Sequence, residues 1–564
     1  MASIVGKRIS GQTYYYLREV ARIGGRPTIV SQRYLGKADD IAAAMAGASV
    51  LPERTRHLAF GALAAVWSVL ERLDLVGIVD RAIGARRPDA GASVGTYLAL
   101  ACANRVLAPC SKLALADWWA TTAADRWVKL PRSALDHRRF WEAMDALSPA
   151  RLARIERALT TRMVEVFGLD LGGLVLDMTN FATFIDTGNP HAPIAQRGHA
   201  KQKRTDLRLV GLALVVTRDG GVPVCARSYP GNRPDVTQFT AVIDELVARF
   251  ARLGADPDQL TLVYDAGNDS AANQTHLEQA GLHFVGSLVP SDHPELLAIP
   301  ASRFQVLDAD RFPGLRVVEA TADALGATRR VLVTHSASFH ARQQRGFAQT
   351  LAKAGRQLDA LDARLARGRT RRPRAAVEAE IRDILSPRWL ERVIGWQLVG
   401  DSDDTPASLR LTWAIDARAR RRLEAQVFGK RLLFTDQTDW PAAEVVAAYR
   451  AQADAEAGFR QLKDPKVCSF SPMFHWTEQK IRVHVFYCVL ALAVAHLLRR
   501  QAAQAGLTIS VRELLKTLAS IQETVMVYPS TGGRPKARRI LTEPTPTAAH
   551  LFELFGLAAY APSG

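Results

Sequence analysis

Cysteine is scarce in this chain. There are five in 564 residues, Cys102, Cys110, Cys225, Cys468 and Cys488, with no CxxC pair and an odd total. That argues against a disulfide framework or a zinc ribbon and fits a reducing cytosol. Long hydrophobic runs are missing too. The longest apolar stretch, Val485 to Leu498, covers 14 residues and contains His496. A bilayer-crossing helix needs ~20 residues, so the stretch reads as a buried helix. The opening MASIVGKRISGQTYYYLREV lacks the apolar core of a signal peptide. The expectation is a cytoplasmic protein with no membrane partner. No fixed-period repeat is evident. Acid is in short supply relative to base, 56 residues against 73, which leaves a net charge of +17. An excess of that size favours partners carrying phosphate.

What is present suffices for folding. The hydrophobic share is 48% of 564 residues, and a single core stops growing at roughly 250–300 residues, so several domains are expected. Residues 1–45 read as a β unit, with two Gly-containing turns between alternating runs. Residues 50–168 read as helical, with apolar positions recurring every three or four. From 169 to 294 the pattern becomes β-β-β-α-β-α-β: LGGLVLDMTNFATFI, then two runs around the turn RDGG, then helices alternating with LTLVYDAG and HFVGSLV. A meander of three strands followed by crossover helices is the order of an RNase-H-like α/β core, a mixed sheet flanked by helices. Residues 295–435 break the alternation with strands, a long amphipathic helix and the basic run RGRTRRPR, as a β-rich insertion would. Residues 436–500 return to helix as the second part of the core, and 501–564 read as a C-terminal helical region.

Asp177 and Asp265 each close an apolar strand-like run. Ligands of open α/β sheets bind at that edge, and a carboxylate there is costly unless paired or metal-bound. An aspartate that caps the next loop is the ordinary alternative. Tyr449, Gln452, Glu456, Arg460 and Lys463 are spaced by three, four or seven, which gathers them on about one quarter of a helix circumference. A solvated face with a Glu–Arg pair would look the same. Arg197 to Asp206, Arg367 to Arg374 and Arg418 to Arg422 are basic runs suited either to a DNA backbone or to solvent. His475, His484 and His496 read as packed core residues, Trp476 as core or a stacking residue, and Asp186 and Asp269 as non-ligands.

The order Asp177, Asp265, Glu456, with a long insertion before the glutamate, resembles insertion-sequence transposases of the DDE class. More narrowly it resembles the IS-four superfamily, whose glutamate helix carries Tyr-x2-Arg-x3-Glu-x6-Lys. Here the chain reads Tyr449-x2-Gln452-x3-Glu456-x6-Lys463, with Gln452 in place of the arginine and Arg450 and Arg460 nearby. Asp265, Gly267 and Ser270 match an Asp-x-Gly-x-x-Ser pattern. YYYLREV…RPTIVSQRYLG and ANRVLAPCSKLALADW resemble the IS-sixteen-thirty-four branch. The resemblance implies a metal-dependent enzyme that cuts DNA at terminal inverted repeats and transfers the freed strand to target DNA. Asp177, Asp265 and Glu456 would hold two Mg²⁺ ions, with Mn²⁺ able to substitute. Tyr449, Gln452, Lys463, Arg450 and Arg460 would hold DNA. It also implies end binding within the 50–168 region and a homodimer on double-stranded DNA. A transposase-derived DNA-binding protein that no longer cuts, and an RNase-H-like nuclease, are the competing readings.

Overall fold

The computed structural model describes residues 2–45, 51–84, 91–186, 188–198, 206–254, 256–367, 372–400, 409–529 and 536–563. The chain opens with three antiparallel strands, β1 (Ala2–Ile9), β2 (Gln12–Ile23) and β3 (Arg26–Gly36). Two-residue turns join them, with positive φ at Ser10, Gly11, Gly24 and Gly25. That is the backbone a tight hairpin demands, so the hairpins read from the sequence are present. Helix α1 (Ala38–Met45) follows.

Next come strand β4 (Arg54–Ala59) and helices α2 (Gly61–Arg72), α3 (Leu75–Ile83), α4 (Val94–Leu107), α5 (Leu115–Ala120), α6 (His137–Asp145) and α7 (Pro149–Phe167). Their ends carry local signals. Ser148 caps α7 by accepting from Arg151 N, Pro149 occupies the first turn, and Gly168 ends the helix in the left-handed region.

The centre is one nine-stranded sheet. Strands β5 (Gly173–Thr183), β6 (Arg208–Thr217) and β7 (Pro223–Pro230) form the expected meander, with Gly220 and Gly221 turning between the last two. Helix α8 (Phe239–Ala251) leads to β8 (Thr261–Val263), and α9 (Ala271–Gln279) leads to β9 (His283–Leu288); β5, β8 and β9 run parallel. After α10 (Pro294–Leu297) come β10 (Gln305–Val306), β11 (Leu315–Ala324) and β12 (Ala327–Ser336). A helical excursion contains α11 (Ala337–Ala366), α12 (Arg374–Leu385), the hairpin β13 (Ile394–Val399) and β14 (Arg410–Ile415), and α13 (Ala417–Val427). Strand β15 (Lys430–Thr435) then enters the sheet, whose order is β10-β11-β12-β15-β9-β8-β5-β6-β7. Residues 295–435 are therefore not a body apart from the core. Val331, Leu332, Leu432, Leu433 and Phe434 are buried, and β15 bonds directly to β9. Among the described residues, α11, α12, β13, β14 and α13, between β12 and β15, lie outside the nine-stranded sheet.

Helices α14 (Ala442–Arg450), α15 (Gln452–Lys463) and α16 (Glu478–Gln504) return to the core. Helix α16, 27 residues long, is apolar enough by length and composition to cross a membrane, yet 94% of its apolar window is buried inside the protein. It packs against α2, α4 and β7, so the helical N-terminal region and the sheet share one core helix. After α17 (Val511–Ala519) the chain forms β16 (Gln522–Tyr528) and β17 (Lys536–Leu541), then α18 (Pro546–Leu554). Strand β16 pairs with both β17 and β4. This corrects the reading of 501–564, and of 50–168, as purely helical. The two strands complete one sheet across more than 450 residues of chain, and neither segment signals such a partner by itself.

Candidate functional site

Asp177 lies within β5, and Asp265 lies two residues past the end of the neighbouring parallel strand β8. The β5–β8 register pairs Gly173 with Thr261 and Val175 with Val263. Asp177 and Asp265 each stand two residues beyond that last pair. The strands they follow from lie ~4.8 Å apart, which places the mid-strand Asp177 beside the turn that Asp265 opens. Asp177 is half-buried and its Oδ1 accepts from Met178 N at 2.7 Å. Asp265 is exposed and caps the turn after it: Oδ1 accepts from Gly267 N at 3.1 Å and Asn268 Nδ2 at 3.3 Å. Asp265 is thus a loop cap as well as a site candidate, and its Oδ2 has no hydrogen-bond partner among the described residues.

Two further carboxylates border the pair. Asp269 has a buried Oδ1 with no partner. Burial, with Asp265 and Asp292 adding, pushes its carboxyl up to about 7. Asp235 accepts from Tyr229 Oη at 2.6 Å. Burial, Asp235 and Asp177 together hold the Tyr229 phenol well above its ordinary value. Asn273 Nδ2 ties the two loops together, donating to Val236 O and Asn268 O at 3.0 Å each. The cleft is thus more acidic than the sequence reading allowed. Asp235, within NRPD, looks like any turn aspartate, and Asp269 reads in sequence as a non-ligand.

Helix α15 lies across β5. Lys463 fixes it there: its Nζ donates to Thr179 Oγ1 at 2.8 Å and stands 5.3 Å from the Phe181 ring centre. Thr179 is two residues beyond Asp177, hence on the same strand face. Glu456 stands two helical turns before Lys463, with its side chain 63% exposed and Oε2 3.6 Å from Arg460 Nη1. Arg460 is itself 68% exposed. Among the described residues, no three Asp, Glu, His or Cys side chains come together as a group able to hold a metal. The structure brings Asp177 and Asp265 together and leaves Glu456 on the helix above, facing a different space. That space is a cavity of about 330 Å³, which Glu456 and Gln452 border with Arg450, Arg342 and Arg431. Arg450 also stacks 4.8 Å over Phe312.

Two expectations for this helix are corrected. The five spaced residues do not share one straight helix. The chain breaks between Arg450 and Gln452, where Ala451 N bonds Ala448 O as well as Ala447 O, and Asp454 N bonds Ala451 O. These tighter i→i−3 bonds turn α14 relative to α15. Tyr449, on α14, is also not exposed for DNA: it is buried, and its hydroxyl lies 3.0 Å from Ser287 Oγ on β9. It anchors α14 to the sheet. The histidines read as core are core: His484 and His496 are fully buried, and His475 is nearly so. Burial pushes all three imidazoles down. Trp476, by contrast, is half exposed. Residues 199–205 and 368–371 of the two other basic runs lie outside the described residues, whereas Arg418 to Arg422 lie on α13, where Arg420 pairs with Glu424 at 2.8 Å.

No curated protein matches the chain. Among solved structures, it is similar to piggyBac transposase in a synaptic complex with hairpin DNA, at 10% identity and a TM-score of 0.37, over 83% of this chain and 82% of that one. The family model described as "Transposase DDE domain" matches residues 172–493. Its span begins at β5, where Asp177 lies, passes Asp265 and Glu456, and runs deep into α16, more than half of the 564 residues. The chain belongs to the transposase DDE domain family.

Proposed function

We propose that this protein cuts DNA at the ends of a mobile element and joins the freed ends to target DNA, using an RNase-H-like core. The matching register of Asp177 and Asp265, with the Glu456 helix laid across β5, carries this reading. The Tyr449-x2-Gln452-x3-Glu456-x6-Lys463 spacing supports a place in the IS-four superfamily, in its IS-sixteen-thirty-four branch.

The proposed donors suit a hard divalent cation, since all three are carboxylates. Asp177, Asp265 and Glu456 would hold Mg²⁺, as two ions, with Mn²⁺ able to replace it. When bound, such ions polarise a phosphodiester and lower the pKa of attacking water. The chain's own residues do the rest. Asp265 presents one unpaired oxygen to the cleft while its other oxygen fixes the loop. Glu456, exposed and held only by a loose pair with Arg460, reorients without unpacking α15. Gln452, Arg450 and Arg460 meet DNA phosphates beside it, and Lys463 holds the helix over the strand. Two element ends must be handled together, which a homodimer on double-stranded DNA provides; a cytoplasmic site of action fits the five free cysteines.

The test uses a plasmid carrying the coding region with its native flanks. The wild type is expected to release the element with Mg²⁺ or Mn²⁺. Asp177→Asn is expected to cut at least roughly a hundredfold less, as loss of metal-centred charge stabilisation requires. Wild-type cutting by Asp177→Asn would overturn the triad. Equal cutting of DNA without matched ends would favour a general nuclease. End binding with no cutting by either protein would favour a DNA-binding protein that no longer cuts.

A further inference from the structure

Beyond the end of β5 lies a second cavity, of about 290 Å³, between the N-terminal helices and the loop that follows α15. Its walls include Trp141, Phe474 and Trp476, 43%, 63% and 51% exposed. Large aromatics left this open are unusual in a packed protein unless something covers them. Its polar lining includes Lys112, His475 and Lys480, and no carboxylate lines it. Lys480 pairs with Asp145 at 2.7 Å. Lys112 donates to Tyr487 Oη, which bonds His484 Nδ1 at 2.6 Å. Burial and nearby Arg105 push the Lys112 ammonium well down, a cost that an anion in the cavity would relieve.

The walls are fixed in advance. Arg105 donates to Ser469 O, Ser471 O and Cys110 O, pinning the loop to α4. Asn189 Nδ2 holds Trp476 O at 2.7 Å, Phe184 N bonds Met473 O, and Glu478 N bonds His191 O. The loop after β5 and the loop after α15 are thus zipped together. Phe184 packs 5.8 Å from Phe474. Phe184 lies seven residues past Asp177, about 20 Å along the strand direction.

We propose that this cavity binds an unpaired nucleotide of DNA, its base stacked on Trp476 and Phe474 and its phosphate against Lys112. Open aromatics beside cations are the recognition chemistry of single strands. Near 300 Å³, the lower end for ligand cavities, it has room for one nucleotide and not for a duplex. The proposal rests on the transposase reading for its DNA partner but not on the carboxylate triad.

The experiment measures binding by fluorescence anisotropy with the full chain in chelator, so that no cutting occurs. The probes are a 15-nucleotide oligothymidylate and a blunt duplex of the same length. Wild type and Asp177→Asn are expected to bind the single strand equally. Trp476→Ala combined with Phe474→Ala is expected to bind it about fivefold or more weakly, from the stacking lost, with duplex affinity changed less than about twofold. Trp476→Phe should retain most of the binding, and Val306→Ala, at an equally exposed remote site, all of it. The proposal fails if the double variant binds oligothymidylate as the wild type does, if it loses single strand and duplex alike, or if the wild type does not bind the single strand. Asp177→Asn that cuts as wild type would defeat the triad and leave this pocket standing. A pocket failure beside an inactive Asp177→Asn would do the reverse.

Discussion

Glu156 on α7 shows how burial overrides a neighbouring cation. Its Oε2 lies 3.5 Å from Arg249 Nη2, but Glu245 takes the shorter contact at 2.8 Å. Burial, the largest influence, outweighs the attraction of Arg249, and the carboxyl is pushed up to about 7. The folded state therefore holds a proton that the unfolded chain has released above ~4.5. That contribution to stability is complete below pH ~4.5 and is lost as pH rises through 7. Glu156→Gln is expected to flatten the pH dependence over that window and to be more stable than wild type at pH 8 by about 1–3 kcal/mol, with little difference at pH 4.5. Urea unfolding at the two pH values checks it, and a difference independent of pH would refute the assignment. At this scale the sequence was a partial guide. Asp265 and the Glu456–Lys463 spacing are visible because strand ends and helical periods are local, whereas Asp177 stands midway along β5, which runs on to Thr183. That Tyr449 faces inward and Trp476 outward is not visible, since both follow from what packs against them from distant segments.

Elements that depend on neighbours in sequence were legible: the hairpins of β1 to β3, the meander β5 to β7, the long α11, and α16 as a core helix rather than a membrane span. The break between α14 and α15 was not, because seven-residue spacing continues unbroken through it and only the anchors reveal it, Tyr449 on β9 and Lys463 on β5. The β4–β16–β17 sheet was not legible either. At its centre is Glu523, buried on β16, where Arg126 and Arg539 both reach it, at 2.6 and 2.5 Å. One carboxylate thus joins the connection between α5 and α6 to the last hairpin. Removing it strands two guanidinium groups that are only partly exposed. Glu523→Leu is expected to cost roughly 3 kcal/mol, read by denaturant midpoint, and Glu523→Gln less, because an amide still accepts from one arginine. If both variants unfold like wild type, the closure of the sheet does not depend on this triad.

On the scale of the whole molecule, the net charge of +17 sets a long-range attraction for DNA that the acidic cleft opposes locally. The arginines around the Glu456 cavity offset that opposition: Arg342, Arg431 and Arg450 line it, and Arg460, one turn after Glu456, forms a loose, exposed pair with it. A pair of that kind is screened and weak in water, so Arg460 would give up little on turning to a phosphate. Binding that neutralises six to ten phosphates should fall with salt at a log–log slope of about −5 to −9. Arg460→Ala, having lost one phosphate contact, should shallow that slope by about one and weaken binding evenly across sequences. Tyr449→Phe should leave the slope unchanged, because the tyrosine is buried and its hydroxyl bonds Ser287 Oγ. Titrating duplex DNA at several salt concentrations separates the two. A slope that moves with Tyr449 and not with Arg460 would mean that α14, rather than the α15 rim, is the surface that DNA touches.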